Sequence, residues 1–386
     1  MAFSHRIGRW VDRVDRAHAR AVQRWYRMSP FDRPWMIVPY LGFGTPRRFE
    51  VSGRVLRRMQ HREPEADDSA WRNFAEFWKR MESDELPGAR VRVAFGGTVV
   101  ETVADQEGHF DTTLELAVEV SPGWHSVALE LLDPAPREGA GVAAQADVLV
   151  PAHTARFGVI SDIDDTIVWS NVTRKLRMLS MLMRSNARIR KPFKGVAAFY
   201  RALHEGASGD ARNPVFYVSS SPWNLYIPLV DFLQFQQLPR GPLMLRDFGD
   251  HLLFRGVEAH AHKRRRIEKV FETYPDVPFV LIGDSGERDP EIYAELVGAH
   301  SGRVRTIYIR NVTPDPARVA AVEELATQVH RSGAELVLVA DSEGAAVHAA
   351  ARGYIDAASL AQIRGDVERD SRPGPARGQA TVDADV

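Results

Sequence analysis

The spacing of apolar residues divides the chain into four parts. Residues 1–27 place apolar side chains at roughly helical intervals among many arginines, which predicts an amphipathic helix within an N-terminal part, residues 1–46, that also includes a lead-in. Residues 47–150 alternate apolar and polar positions between turn-forming residues, which predicts a small antiparallel β-sandwich. Residues 151–365 carry apolar runs separated by helical stretches, the pattern of parallel strands joined by crossover helices. Residues 366–386 contain few large apolar groups, so we expect a disordered tail.

The amphipathic pattern at the N-terminus leaves two interpretations open. Its apolar stripe is narrow and partly alanine, while its outer face is basic. Docking on the body of the protein fits this pattern better than insertion at a membrane interface, which needs a broader apolar face.

The composition is that of an ordinary folded protein. Apolar residues make up 44% of the 386 residues and charged residues 26%, and the length fits two to three domains. The net charge of -1 gives no overall attraction to nucleic acid or acidic lipid. With no cysteine, disulfides, cysteine-bound zinc, iron–sulfur clusters and thiol nucleophiles are excluded. No apolar run reaches the ~20 residues that cross a bilayer, and charges interrupt the N-terminus, so we expect a cytoplasmic protein.

Two aspartates follow the first apolar run of the α/β part. Side-chain alternation directs Asp162 and Asp164 to the same side of the chain. Two carboxylates in one small site need a cation or a proton between them, and Mg²⁺ prefers carboxylate oxygens. One carboxylate could attack phosphorus while the other transfers the proton of the leaving group. An acidic turn that caps the next helix explains this segment equally well.

A second acidic strand end follows about 120 residues later. Asp284 comes after the apolar run 279–282, and the carboxyl ends of parallel strands meet at one edge of a sheet. Asp284 could therefore share a metal ion with Asp162. Asp289 lies nearby, but a proline and a glutamate follow it, so a helix cap explains this residue about as well as metal binding does.

Hydroxyl and basic residues between the acidic strand ends could contact a phosphate. Ser219 follows the apolar run 215–218 and could hold a phosphate oxygen, although a turn or helix cap is the commoner role of such a serine. Lys263 could neutralise a nucleophilic carboxylate and the charge on a phosphoryl group, although most lysines only solvate a surface. His260 and His262 lack further ligands at suitable spacing, which makes them weak evidence for zinc.

Taken in order, these motifs resemble those of the haloacid-dehalogenase phosphatase superfamily. Within it, the sequence is most similar to the actin-patch-associated phosphatidate phosphatase family and its bacterial relatives. The resemblance covers roughly residues 40–320 and implies an α/β fold, a haloacid-dehalogenase-like (Rossmann-type) parallel sheet with a small helical cap. The stretches that carry it are residues 161–167, 171–173, 192–196, 217–225 and 283–291.

The resemblance also implies an activity and a set of roles. The family hydrolyses phosphatidate to diacylglycerol and phosphate with Mg²⁺ as cofactor. At the matching positions, Asp162 is the expected nucleophile, Asp164 the general acid/base and Lys263 the charge stabiliser, while Asp289 supports the metal. The expected metal ligands are Asp162, Asp164 (through its backbone oxygen) and Asp284, and the expected phosphate-binding residues are Ser219, Ser220 and Thr166.

A basic segment follows the nucleophile motif. Residues 171–194 carry eight lysines and arginines, no acidic residue, and interleaved leucines and methionines. A helix of this composition could rest on an anionic lipid surface, with Arg174, Lys175, Leu179 and Leu182 among its contacts. Packing of the same apolar side chains on the protein core is an equally good explanation.

The preferred hypothesis is thus a phosphatase that meets phosphatidate, or an anionic membrane surface, as a peripheral protein without a nucleic-acid partner. A first alternative keeps the chemistry but changes the substrate to a soluble phosphomonoester or a nucleic-acid end, whose backbone phosphates the basic segment would contact. A second alternative is a non-catalytic scaffold that uses its β-sandwich for interaction. The complete set of acidic, hydroxyl and lysine residues argues against the scaffold.

Overall fold

The computed structural model describes residues 35–57, 85–134, 141–163, 195–246, 257–312 and 315–371. Within these ranges the chain forms two separate sheets, one almost wholly antiparallel and one parallel. The antiparallel sheet lies in residues 35–150, and the parallel sheet with its helices follows from residue 158. The predicted order, a β-rich part followed by an α/β part, is confirmed.

The first sheet has eight strands in the described part of the chain. Their order is β1-β3-β2-β8-β7-β4-β5, and β6 pairs with β3. Each pairing is antiparallel except that of β2 with β8, which is parallel. The strands are β1 (Trp35–Pro39), β2 (Gly42–Thr45), β3 (Arg48–Arg57), β4 (Arg90–Phe95), β5 (Thr98–Val103), β6 (His109–Glu115), β7 (Gly123–Asp133) and β8 (Ala143–Val150).

This sheet curls around its own core, so that strands from its two ends lie side by side. The hydroxyls of Thr98 and Thr102 on β5 donate to backbone carbonyls on β6, at 3.5 and 3.4 Å. Alternate side chains such as Val51, Val93 and Val148 are at most 1% exposed and fill the interior. The expected sandwich of two sheets is therefore corrected to one curled sheet. The period-two pattern shows which side chains face inward, but it does not show which strands pair.

The first domain also begins earlier than predicted. Strands β1 and β2 lie within residues 1–46, in the lead-in that follows the predicted helix. The segment Trp35–Pro39 is a continuous apolar run, too short to show either the helical or the strand periodicity. Its pairing with β3 determines its extended conformation.

The second sheet has six parallel strands in the order β11-β10-β9-β12-β13-β14. The chain starts in the middle at β9, moves outward through β10 and β11, and then returns to the other side of β9 with β12. In such sheets ligands bind beyond the carboxyl ends of the strands where the order reverses, here at β9 and β12. The strands are β9 (Gly158–Asp162), β10 (Val215–Pro222), β11 (Leu243–Arg246), β12 (Phe279–Asp284), β13 (Val304–Arg310) and β14 (Glu335–Val339).

Helices cover both faces of the parallel sheet. Adjacent residues such as Val159 and Ile160 belong to different apolar cores, because successive side chains of a strand point to opposite faces. One core includes residues of α3, α4 and α5, and the other includes residues of α1, α2, α6 and α7. The helices are α1 (Val196–Glu205), α2 (Tyr226–Phe235), α3 (Val257–Thr273), α4 (Asp289–Ala299), α5 (Pro316–Arg331), α6 (Ser342–Ala351) and α7 (Ser359–Ser371).

The last helix extends into the segment predicted to be a disordered tail. Helix α7 runs to Ser371, so residues 366–371 are helical. Asp366 is 8% exposed and lies 3.4 Å from the guanidinium of Arg201 on α1. Ile363 of α7 is 1% exposed and packs in the core. Very few buried apolar side chains are thus enough to dock this helix, although its last residues are polar.

Several predictions concern residues outside the described ranges. These are the N-terminal amphipathic helix, the helical cap, the basic segment 171–194, and the site residues Asp164 and Thr166. Among the described helices, none combines the length and the apolar character needed to cross a membrane.

Candidate functional site

The structure brings three of the predicted acidic residues together at one edge of the parallel sheet. Asp162 ends β9 and Asp284 ends the neighbouring β12, while Asp289 lies in the first turn of α4. All three are 0% exposed. One carboxylate oxygen from each lies within 4.8 Å of the others. The cluster therefore stands at the strand ends where the order of the sheet reverses.

The side chain of Asp289 is part of this cluster and does not cap α4. The N-cap position of α4 is Arg288, which makes no side-chain capping bond. The Asp289 carboxylate accepts hydrogen bonds from Lys263 Nζ at 2.5 Å and from the backbone N–H of Asp284 at 3.3 Å. Its close approach to β12 needs a glycine at position 283, because a Cβ there would lie 2.7 Å from the Asp289 Cβ. The helix-cap alternative for Asp289 is therefore wrong.

Lys263 lies on α3 and points into the acidic cluster, unlike most lysines. It is 2% exposed, and its Nζ lies 2.8 Å from Asp162 Oδ1, 2.5 Å from Asp289 Oδ1 and 3.6 Å from Glu287 Oε2. Burial alone would lower the pKa of Lys263, but the carboxylates of Asp162 and Asp289 outweigh it and hold that pKa well above its usual range. Lys263 is thus a permanently charged ammonium in contact with two carboxylates.

The cluster contains more negative than positive groups. Burial and the adjacent Asp289 raise the pKa of Asp284 to about 7. Three buried carboxylates face one ammonium, so binding of a further cation would reduce the repulsion among the carboxylates. Mg²⁺ binds oxygen at about 2.1 Å in octahedral geometry, so its ligand oxygens lie about 3 to 4.2 Å apart, and carboxylate oxygens that all lie within 4.8 Å of one another are near enough to share one ion. The donor set of Asp162, Asp284 and Asp289 therefore fits a magnesium ion.

The loop after β12 is held by the backbone and by an arginine. Asp284 Oδ1 accepts the backbone N–H groups of Gly286 at 2.6 Å and Glu287 at 3.0 Å. Arg318 on α5 donates to the carbonyl oxygens of Ser285 and Glu287, both at 2.8 Å. Sequence reasoning missed Arg318, because it lies outside the matching motifs and nothing in its own segment points to the loop.

Ser219 lies at the same edge of the sheet as Asp162. Its neighbour Val218 pairs directly with Asp162 across β10 and β9. Ser219 is 0% exposed, and its Oγ accepts the N–H of Ser221 at 2.9 Å, while Ser220 is half-buried. These serines belong to the extended end of β10, and the 3-10 helix at Trp223–Leu225 has no side-chain cap. The predicted turn is therefore a strand end.

The two histidines near Lys263 contact different partners. His260 Nε2 lies 3.1 Å from Glu295 Oε2, and His262 Nε2 lies 3.0 Å from the carbonyl oxygen of Leu245. The two imidazoles therefore have different hydrogen-bond partners.

Tyr200 supports strand β9 from the face of the sheet opposite to Asp162. Its hydroxyl lies 2.6 Å from Ser161 Oγ, which in turn donates to the backbone oxygen of Asp162 at 2.7 Å. Burial raises the pKa of the Tyr200 hydroxyl, so it stays protonated. Strand alternation indicates that Ser161 faces away from Asp162, but it does not reveal the tyrosine partner.

Comparison with known proteins gives matches over the parallel sheet. Residues 157–311 match the family model described as phosphatidate phosphatase APP1, catalytic domain. Phosphatidate phosphatase APP1 of Saccharomyces cerevisiae is 30% identical over 155 residues, which are 40% of this chain and 26% of that protein. An uncharacterized protein of Schizosaccharomyces pombe is 32% identical over 163 residues, 41% of this chain and 26% of that protein. The chain thus spans about a quarter of the length of these relatives.

Likenesses to solved structures are weak. A carbohydrate acetylesterase from Xanthomonas citri has a TM-score of 0.23 at 13% identity, over 77% of this chain and 75% of that one. The PilB minor pilin of Streptococcus sanguinis has a TM-score of 0.26 at 12% identity, over 89% of this chain and 90% of that one. At these scores the likenesses carry no argument about fold or function.

Proposed function

We propose that the protein is a phosphatidate phosphatase, because residues 157–311 match the family model of the phosphatidate phosphatase APP1 catalytic domain and a yeast protein of that name is 30% identical over 155 residues. It would be a phosphoric monoester hydrolase that converts phosphatidate to diacylglycerol and inorganic phosphate. The observation that carries the proposal is the buried cluster of Asp162, Asp284 and Asp289 around Lys263, at the ligand-binding edge of the sheet.

We further assign the α/β part to the haloacid-dehalogenase-like fold. The strand order, which reverses at β9, and the helices on both faces support this assignment. The acidic residues at the ends of β9 and β12 and the serines at the end of β10 support it as well.

In the proposed reaction Asp162 is the nucleophile. Its carboxylate attacks phosphorus, and the new bond forms as the ester P–O bond breaks, which gives an aspartyl-phosphate and an alkoxide. Asp164, whose role rests on the sequence motif, donates a proton to the alkoxide and releases diacylglycerol. Asp164 then takes a proton from water, which attacks phosphorus and restores Asp162. Over the two steps one water is consumed and one inorganic phosphate is released, and both aspartates return to their starting states.

Lys263 and the serines of β10 would stabilise the phosphoryl group. The buried ammonium lies 2.8 Å from Asp162 Oδ1 and would offset the negative charge that develops in the transition state. A charge in this water-excluded position acts more strongly than one on the surface, because the local dielectric is low. Ser219 and Ser220, with Thr166 by motif, would bind the phosphate oxygens.

Magnesium is the cofactor we propose for this site. Asp162 and Asp284 would hold it through side-chain oxygens, Asp164 through its backbone oxygen, and Asp289 from the adjacent position. When bound, Mg²⁺ would neutralise phosphate oxygens and offset the excess negative charge of the cluster.

The substrate would reach the site from a membrane surface. Phosphatidate resides in bilayers, so we propose peripheral contact through the basic segment 171–194, with Arg174, Lys175, Leu179 and Leu182 as candidate contacts. The protein should then co-sediment with phosphatidate vesicles at low salt. Failure to do so would remove this part of the proposal.

The activity is tested by phosphate release from phosphatidate in mixed micelles, with Mg²⁺ or with a chelator. A soluble aryl phosphate is assayed in parallel. We expect Mg²⁺-dependent release from phosphatidate that is lost in Asp162→Asn, with folding of the variant checked by circular dichroism. Asp231→Asn, a change at an exposed position of α2, serves as the matched control and should keep full activity.

Two outcomes would change the conclusion. Activity on the aryl phosphate alone would keep the chemistry but overturn the lipid substrate. If the folded wild-type protein releases phosphate from neither substrate, a non-catalytic scaffold is favoured.

A further inference from the structure

The β-rich domain contacts the catalytic domain at the segment that directly follows the phosphate-binding serines. Tyr40, between β1 and β2, stacks on Trp223 with ring centroids 4.1 Å apart and planes 10° apart. The Tyr40 ring also lies 4.3 Å from that of Tyr226, and His109 on β6 lies 5.5 Å from Trp223. Trp223 is 8% exposed, so these contacts enclose it almost completely. The enclosed tryptophan comes four residues after Ser219.

Hydrogen bonds from the same domain fix two further residues of this segment. The backbone N–H of Leu41 donates to the Tyr226 hydroxyl at 2.6 Å. Arg54 on β3 donates to the side-chain oxygen of Asn224. Arg54 is 3% exposed and also donates to the carbonyl oxygen of Glu107 at 2.7 Å, so its guanidinium is held by its own domain. A rigid donor of this kind defines the position of Asn224.

The helix that carries Lys263 reaches the same tryptophan. Arg266 lies on α3 one turn after Lys263, with its guanidinium carbon 5.9 Å from the centre of the Trp223 ring. Trp223 therefore contacts both the β-rich domain and the helix that supplies the buried ammonium. Displacement of Trp223 would alter the distance between the serines and the acidic cluster.

Strand pairing fixes the positions of residues 219–221 less closely than those of the rest of β10. Pairing of β10 with β9 ends at Val218, opposite Asp162. Pairing with β11 passes from Val218 to Pro222 with a shift in register. Residues 219–221 therefore lie where the regular ladder is interrupted, and the anchored residues that follow them contribute to their position.

We propose that the β-rich domain is part of the catalytic unit, and that Tyr40 and Arg54 are positioning residues. Through Trp223 and Asn224 they hold Ser219 at the distance from Asp162 that a substrate phosphate requires. The inference rests on the proposed phosphatase function. It assigns the first domain a role in binding the phosphate group, in addition to any ligand of its own.

The test compares two variants of Tyr40 in the full chain. Tyr40→Phe keeps the ring stack on Trp223, whereas Tyr40→Ala removes it. With a soluble aryl phosphate we expect Tyr40→Ala to raise KM, and the inhibition constant of inorganic phosphate, by about tenfold, with a smaller change in kcat. Tyr40→Phe should stay within about twofold of the wild-type protein in both constants.

A matched pair of variants separates positioning from general stability. Tyr226→Phe and Tyr274→Phe each remove one hydrogen bond between the domains, since the Tyr274 hydroxyl donates to the carbonyl oxygen of Gly44 at 3.1 Å. Tyr274 lies just after α3, outside the segment that follows Ser219. We expect both variants to lower the melting temperature, but only Tyr226→Phe to raise KM. If KM in all four variants follows the melting temperature alone, the proposal is overturned.

A second readout does not depend on catalysis. Hydrogen exchange of the backbone amides in residues 219–226 should become faster in Tyr40→Ala and Tyr226→Phe but not in Tyr274→Phe. If the wild-type protein hydrolyses no phosphomonoester, the proposed function fails, while exchange still decides whether the domain holds this segment. Unchanged exchange in Tyr226→Phe and Tyr40→Ala would refute the positioning role.

Discussion

Replacement of Asp284 by asparagine should stabilise the metal-free protein at neutral and higher pH. Asp284 is 0% exposed and lies beside Asp289, and together burial and that neighbour raise its pKa from 3.8 to about 7. The folded protein therefore holds a proton at this site more tightly than the unfolded chain does. The side-chain oxygen of the introduced asparagine would still accept the N–H groups of Gly286 and Glu287, so the variant removes the charge and keeps the geometry.

The magnitude follows from the two pKa values. At about 1.4 kcal/mol for each unit of pKa, the difference between 3.8 and about 7 corresponds to about 4 kcal/mol. Because the pKa is higher in the folded state, stability is full below 3.8 and is lost as the pH rises to about 7. The cost of ionising Asp284 is thus about 2 kcal/mol near pH 5 and about 4 kcal/mol near pH 8.

The assay is urea unfolding followed by circular dichroism in the presence of a chelator, near pH 5 and near pH 8. We expect the stabilisation by Asp284→Asn to be about 2 to 3 kcal/mol larger at the higher pH. The exposed Asp231→Asn change is the control and should show no such difference. A stabilisation equal at both pH values, or none at pH 8, would refute the electrostatic explanation. Added Mg²⁺ should then stabilise the wild-type protein and reduce the advantage of the variant.

Two further substitutions test the geometry of the cluster. Gly283→Ala places a Cβ 2.7 Å from that of Asp289, so it should cost about 1 to 3 kcal/mol in urea unfolding and lower phosphatase activity at least about tenfold. Gly298→Ala, on α4 with no atom nearby, is its control and should be neutral or stabilise by up to about 1 kcal/mol; similar losses in both would contradict the close approach of Asp289 to the strand. Lys263→Met should lower the free energy of unfolding by about 3 to 5 kcal/mol in the same assay, because it leaves two buried carboxylates without their cation. A Lys263→Met variant as stable as the wild-type protein would show that Lys263 does not balance their charge.

The sequence predicts the location of the site through simple geometric rules. Apolar runs identify the strands, and parallel strands place their carboxyl ends at one edge, so Asp162 and Asp284 are expected to meet. Asp289 illustrates the limit of such rules, because the proline and glutamate after it favour a helix cap equally well. Asp289 joins the cluster because Lys263 donates to its carboxylate and because Gly283 has no side chain to block its approach to β12. Lys263 is distant along the chain, and a glycine adds nothing to a pattern of apolar and polar positions.

Features that depend on contacts between distant segments could not be predicted. Arg318 holds the loop after β12, and Tyr40 stacks on Trp223 across two domains, although no periodicity links these positions. The curled first sheet is a similar case, because alternation defines an inner face without naming the partner of an edge strand. Such contacts are selected by the packing of the whole chain.

The two apolar cores have a practical consequence for work with shortened forms of the protein. The family match ends at residue 311, but β14, α5, α6 and α7 follow it. Val322 and Leu336 belong to one core and Ile363 to the other. A protein ending at residue 311 would expose apolar surface on both faces of the sheet and leave β13 as an open edge, two conditions that promote aggregation. The boundary of sequence similarity is therefore not a boundary for soluble expression, which requires the chain at least through α7.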